Sequence, residues 1–423
     1  MGEKRIVPEP PATRRAESRI LDEAPPALAV VLWQYVRHLS DWIDASVAER
    51  KALFHSAPPR WVSEKRREAH AVFPDIAANL MAVESVFDTP FTVDPRSAAD
   101  AMDALARWAE ARGYTETSIQ FSELSARIDP ADARRANLAG RLARNAGDYP
   151  RAETWLERGI GLGRRQKDWV EYTRGHLGAG ILCMTVGREA RARRHLNTAS
   201  TIAMREGHEW LAAEAQHDLF QFMTLRGNWV DAEVHARRAL AWYPKHHQRF
   251  PFFAADLGFL LVCQQHHSAA AALLRPFVRI VNPPHNVLGF SVLVRALASA
   301  GNRREFERMR SRLLDLIHRH PEHEAAARWN LAHADRAVGN WESAVANARA
   351  AADLARSVRD LQTEQAACAL LAQLEAREPL PPEQLRTDGK FRELLASVVT
   401  RLENWSPTRR GRMPSRSRAE WAA

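Results

Sequence analysis

His318, His320 and His323 crowd around Pro321, and imidazole nitrogens are ligands that zinc accepts. To converge on one ion they need a helix that ends between His318 and the proline and a chain that folds back. Histidines solvated at a turn between helices need no such condition. His246-His247 and His266-His267 also stand among turn residues, so no metal site is expected. Arg134, Asn137, Arg141 and Arg144 offer different chemistry, because their spacing puts them on one side of a helix. Guanidinium forks there can take a carboxylate bidentately while the amide holds a peptide backbone. An ordinary solvated basic face has the same spacing. A third group, Arg409, Arg410, Arg412, Arg416 and Arg418, lies among Ser and Pro. Such a segment has no means to form a packed element, and five phosphate contacts would bind nucleic acid regardless of sequence, with a log-log salt slope of about −4.5.

Catalysis would need a recognisable reactive arrangement, and there is no nucleophile elbow, phosphate loop, dinucleotide glycine pattern or paired zinc motif. The three cysteines, Cys183, Cys263 and Cys368, are far apart and read as small core residues. The expectation is a binder without catalytic residues or cofactors. No run of 18 apolar residues predicts a membrane span and nothing at the start reads as a signal peptide, which makes the cytoplasm the default compartment.

The elements that must position these side chains are helices. Ala, Arg, Leu and Glu dominate a 423-residue chain that is 46% hydrophobic and 26% charged. The formal net charge of +9 is concentrated at the ends: residues 1–20 have five basic and three acidic groups, and residues 405–423 have five Arg against Glu420. A nearly balanced body is left between them.

Within that body, Gly113-Tyr114, Gly147-Asp148-Tyr149, Gly187-Arg188, Gly227-Asn228-Trp229, Gly301-Asn302 and Gly339-Asn340-Trp341 interrupt apolar-periodic stretches. A glycine just past a helix C-terminus does this. The spacings are 34, 40, 40, 74 and 38, and Gln265-His266-His267 falls where the long gap needs another turn. Seven residues before each turn stand Ala106, Gly140, Gly180, Phe220, Gly258, Val294 and Ala332. Five after it stand Ser118, Ala152, Ala192, Ala232, Ala270, Phe306 and Ala344. Mostly small residues at both places permit close helix crossings.

With Gly140 before it and Ala152 after it, the Gly147-Asp148-Tyr149 turn resembles a tetratricopeptide repeat, and Leu257-Gly258 with Ala270 repeats part of that signature. The resemblance covers about residues 96–376. It departs from the family in lacking most of the early large aromatics, in keeping the terminal proline only at Pro130 and Pro244, and in a longer repeat. It implies an all-α, α-α solenoid of about seven helix pairs, with protein or peptide partners.

In that family the first helix of each pair lines the binding groove, which places residues 13, 10, 6 and 3 before each turn on it. The resemblance thus adds Arg107, His217, Gln221, Arg295, Trp329, His333 and Arg336 to Arg134, Asn137, Arg141 and Arg144. It also makes the last four similar to the carboxylate clamp some members use for peptide termini. The function it implies is an adaptor or regulatory sensor; nucleic-acid association through the arginine tail is the alternative.

Around the array, residues 1–20 read as a disordered basic tail and 21–95 as a helical cap. Residues 377–404 read as a C-terminal capping helix and 405–423 as a disordered arginine-rich tail. Residues 22–57 read as one amphipathic helix ended by Pro58-Pro59, suited equally to capping and to homodimerisation.

Overall fold

The computed structural model describes residues 7–11, 19–50, 52–53, 60–358, 360–378 and 389–405. The Pro58-Pro59 break and the arginines Arg409, Arg410, Arg412, Arg416 and Arg418 lie outside these. Regular structure among the described residues is helical throughout. The chain divides into two compact units, one running to Leu182 and the other beginning at Cys183.

The first unit starts with α1 (Ile20–Glu23), α2 (Pro26–Asp44), α3 (Val47–Arg50), α4 (Arg60–Val72) and α5 (Ala77–Asp88). The single helix expected over 22–57 is broken after Asp44. Ser46 and Glu49 cap each other reciprocally, Ser46 N–H donating to Glu49 Oε2 at 2.7 Å and Glu49 N–H to Ser46 Oγ at 3.3 Å. That capping box starts a new helix and so ends the old one. The apolar stripe of α2 (Leu28, Leu32, Tyr35, Leu39) is fully buried against Leu80, Val83 and Met102 of its own unit. A dimer through this face would have to uncover it.

Helix pairs follow. They are α6 (Pro95–Ala111) with α7 (Thr115–Ile128) and α8 (Ala133–Asn145) with α9 (Tyr149–Gln166); α10 (Trp169–Thr185), within which the first unit ends, and α11 (Glu189–Arg205) follow. Next come α12 (Glu209–Leu225) with α13 (Trp229–Trp242), α14 (Phe250–Cys263) with α15 (His267–Ile280), and α16 (Val287–Ser299) with α17 (Arg303–Arg319). The last is α18 (Glu324–Ala337) with α19 (Trp341–Ser357); α20 (Leu361–Glu375) and α21 (Gly389–Glu403) come after it. Each unit is thus a run of sequential helix pairs, the α-α solenoid arrangement.

The turns explain why the sequence folds so locally. Gly147 has φ 79°; its N–H bonds Arg144 O and the next N–H bonds Ala143 O, the two-bond lock that ends a helix. Asp148 then caps α9 by accepting from Arg151 N–H, so one dipeptide closes a helix and opens the next. Asn228 and Asn302 cap α13 and α17 in the same way. The disguised turn is real in backbone terms, since Gln265 takes φ 66°.

Small residues at the crossings have the expected cause. A β-carbon on Gly140 would stand 2.7 Å from Leu156 Cγ, and one on Gly258 would stand 2.7 Å from Leu274 Cγ.

Two terminal segments depart from expectation. Residues 7–11 are seated on the first unit, where Val7 packs against a cluster containing Trp155 and Leu162. The C-terminal helix α21 exists, but it folds back onto α13, α14 and α15 instead of closing the last pair. Phe391, Leu394, Val398 and Leu402 form its buried stripe. Arg401 donates to the backbone carbonyls of Leu240, Tyr243 and Pro244, in the last turn of α13 and just past it.

Candidate functional site

On α6, α8, α10, α12, α14, α16 and α18 the exposed stripe follows one rule. Residues 13, 6 and 2 before the turn are open or half-open: Phe252, Phe259 and Cys263 on α14, or Leu288, Arg295 and Ser299 on α16. The exception is Arg141, which is buried despite standing six before Gly147. Residues 10 and 3 before the turn, expected in the same groove, lie about 60° round the helix and are mostly buried. His217, Ser291, Thr224 and Arg336 are examples.

Several of these polar side chains join one first helix to another. Arg141 donates both guanidinium ends to Glu110 on α6, at 2.8 and 3.3 Å. Asn137 donates to the backbone oxygen and the carboxylate of Glu171 on α10, each at 2.9 Å. Arg144 reaches Gly178 O at 3.5 Å and Asn145 Oδ1 at 3.2 Å. Arg134 sits 3.2 Å from Asp103, and half-buried Arg107 also adds its field there. Burial pushes the Asp103 carboxyl up, against the Ser125 hydroxyl and the Arg135, Arg134 and Arg107 charges. Arg135 was not singled out from the sequence, yet it is the most enclosed arginine of the group, bonding Asp103 at 2.9 Å and Asp100 at 2.6 Å.

The second unit uses the same device. His217 is fully buried; one ring nitrogen meets Tyr243 Oη at 2.9 Å and the other meets Asp256 at 2.7 Å, where Gln221 also donates. Arg249 bonds Asp218 at 2.6 Å. Asn330 donates to Ser291 Oγ at 3.0 Å, and Arg336 donates to Gln373 Oε1 at 3.1 Å and to Glu378 O at 2.7 Å.

Arg295 is different. Protein encloses most of it, although it stays partly exposed, and its charge lowers the Cys263 thiol pKa against the larger upward push of burial. Among the described residues no carboxylate lies within ion-pair distance of it. Its guanidinium lies 5.1 Å from the Trp329 ring centre and reaches Asn330 Oδ1 at 3.5 Å. Burial holds its pKa below the usual arginine value. Burial, then Arg295 and Arg336, push His333 far below the usual imidazole range, so that ring is neutral. Phe259 stands 6.1 Å from Trp329, which meets His333 edge-on at 4.9 Å. The arrangement is an aromatic wall beside an uncompensated cation, able to take an anionic group and the apolar residue next to it.

The His318, His320 and His323 group shows no convergence; His320 faces Glu322 at 3.9 Å, and no His, Cys, Asp and Glu group among the described residues could hold a metal. No helix among them is long and apolar enough to cross a membrane.

No family model matches the chain, and no curated protein does. Among solved structures the chain is similar to the TPR domain of P58(IPK), at 12% identity over 79% of this chain and 100% of that one, with a TM-score of 0.23.

Proposed function

We propose that the chain is a non-catalytic interaction scaffold, an adaptor or sensor, that holds an extended segment of a partner protein along α14, α16 and α18. Arg295 receives an acidic group of that segment, and Phe252, Phe259 and Trp329 receive its apolar side chains. The carrying observation is the lack of a carboxylate near Arg295. An enclosed cation without a counter-ion is costly to the fold, and a ligand anion would offset that cost. The partly exposed aromatics beside it suit a peptide anchor.

The test uses an array of decapeptides, each with one Glu, Asp or free C-terminal carboxylate next to Leu or Phe. The tightest binder is then titrated into the chain. Arg295→Met is expected to weaken binding at least tenfold, whereas Arg134→Gln, on the half-exposed basic stretch of α8, should change it less than threefold. Undiminished binding by Arg295→Met would contradict the assignment.

A further inference from the structure

We infer that α7 and α9 of the first unit form a second peptide site, one that recognises an extended Val-Pro-x-Pro-Pro segment and is filled in this structure by the chain's own residues 7–11. The site lies on second helices of the pairs and does not depend on the Arg295 assignment.

The segment is Val7-Pro8-Glu9-Pro10-Pro11, in which three of five residues have no N–H. Such a strand can be read through its carbonyls and its side-chain shape, and proline stiffness lowers the entropy lost on binding. Both needs are met. Arg158 on α9 donates to Pro8 O at 2.5 Å and, with its other arm, to Pro130 O at 2.6 Å. Arg127 on α7 donates to Pro11 O at 2.6 Å and is braced by Asp44 at 3.0 Å. Two guanidinium groups from neighbouring second helices thus grip carbonyls three residues apart. Arg158 is buried and no carboxylate among the described residues lies within ion-pair distance of it; Pro8 O takes one of its two hydrogen bonds, and the charge of Glu9 in the segment acts on it from further off.

Gly161 provides the shape. It stands inside α9, where glycine is unfavourable, and the three atoms nearest a β-carbon there would all belong to Val7, the first of them Cγ2 at 3.2 Å. The neighbouring glycines have other occupants: Gly159 admits the Asn137 amide, and Gly163 admits the backbone at Tyr172. A helix-interior glycine whose nearest neighbour is a valine of the segment is a mark of a built seat.

The experiment uses the full chain and a fluorescein-labelled decapeptide with the sequence of residues 4–13, followed by fluorescence anisotropy. Val7→Lys brings an ammonium to the apolar seat beside Gly161, Trp155 and Leu162 and should empty it in cis. The peptide should bind this variant saturably and at least tenfold more tightly than the wild-type chain, whose seat is occupied. Adding Gly161→Leu fills the valine hole and should cost tenfold or more, with the melting temperature close to that of the Val7→Lys chain because the atoms nearest that position belong to Val7. Arg158→Gln in the Val7→Lys chain should also weaken binding, whereas Arg295→Met should leave it unaltered. Absence of saturable binding to the Val7→Lys chain, or binding indifferent to both Gly161→Leu and Arg158→Gln, would overturn the inference.

Discussion

The first helices of the two units carry arginines at corresponding positions and use them in opposite ways. Arg141 and Arg295 both stand six residues before a turn. On α8, Arg141 is buried and bound at both ends by Glu110. On α16, Arg295 is enclosed by an aromatic ring, a neutral histidine and an amide, with no acid beside it. Identical residue type and identical register therefore do not give identical function. Under the proposed function, what separates the two charges is whether the counter-ion comes from the same chain.

Acid should sharpen this contrast most. Burial, then Arg249 and His217, lower His247 to about 3, and His333 is lowered by burial and the arginines around it. Both groups are depressed in the folded state, so the unfolded chain binds more protons below its imidazole pKa of about 6.5. The stabilisation is present above that pH and is lost as pH falls from there toward 3. His247 should cost about 3 kcal/mol at pH 4.5, and His333 acts in the same direction. Urea midpoints at pH 7 and 4.5 check this, and the His247→Gln and His333→Gln chains should each show a smaller loss on acidification.

Overpacking should act alike in both units. Ala152 and Ala232 are fully buried at equivalent crossings, and Leu at either should cost roughly 1 to 3 kcal/mol by denaturant unfolding. A cost at one and none at the other would mean that the pairs are not equivalent. The smallest effect belongs to the disguised turn. Gln265→Gly relieves a left-handed residue and should add up to about 1 kcal/mol of stability. A loss there would show that the Gln side chain has a role of its own.

The array was legible because its cause is local. A left-handed residue after each first helix and a small residue at each crossing are repeated constraints, and together they located even Gln265. Gly207, also left-handed at φ 77°, ends α11 between pairs and so falls outside the within-pair register. The open face of the first helices was legible only in part. The 13 and 6 positions keep to the open stripe except at Arg141, positions 10 and 3 are mostly buried, and sequence spacing alone does not say that Arg141 will meet Glu110, 31 residues away. Long-range placements were hidden for the same reason. Nothing local tells α21 to return to α13, or Val7 to seek Gly161. The break in the N-terminal helix was readable in principle, since Ser46 and Glu49 have capping-box spacing.

The most direct test compares stability rather than binding. Arg141→Met and Arg295→Met are unfolded in urea side by side, with no ligand present. Removing Arg141 leaves the Glu110 carboxylate buried without its partner and should cost about 3 kcal/mol or more. Removing Arg295 strands no carboxylate and relieves an enclosed charge, so its stability should change by less than about 1 kcal/mol or rise. Equal losses of several kcal/mol in both variants would contradict the account, because Arg295 would then be structural like Arg141.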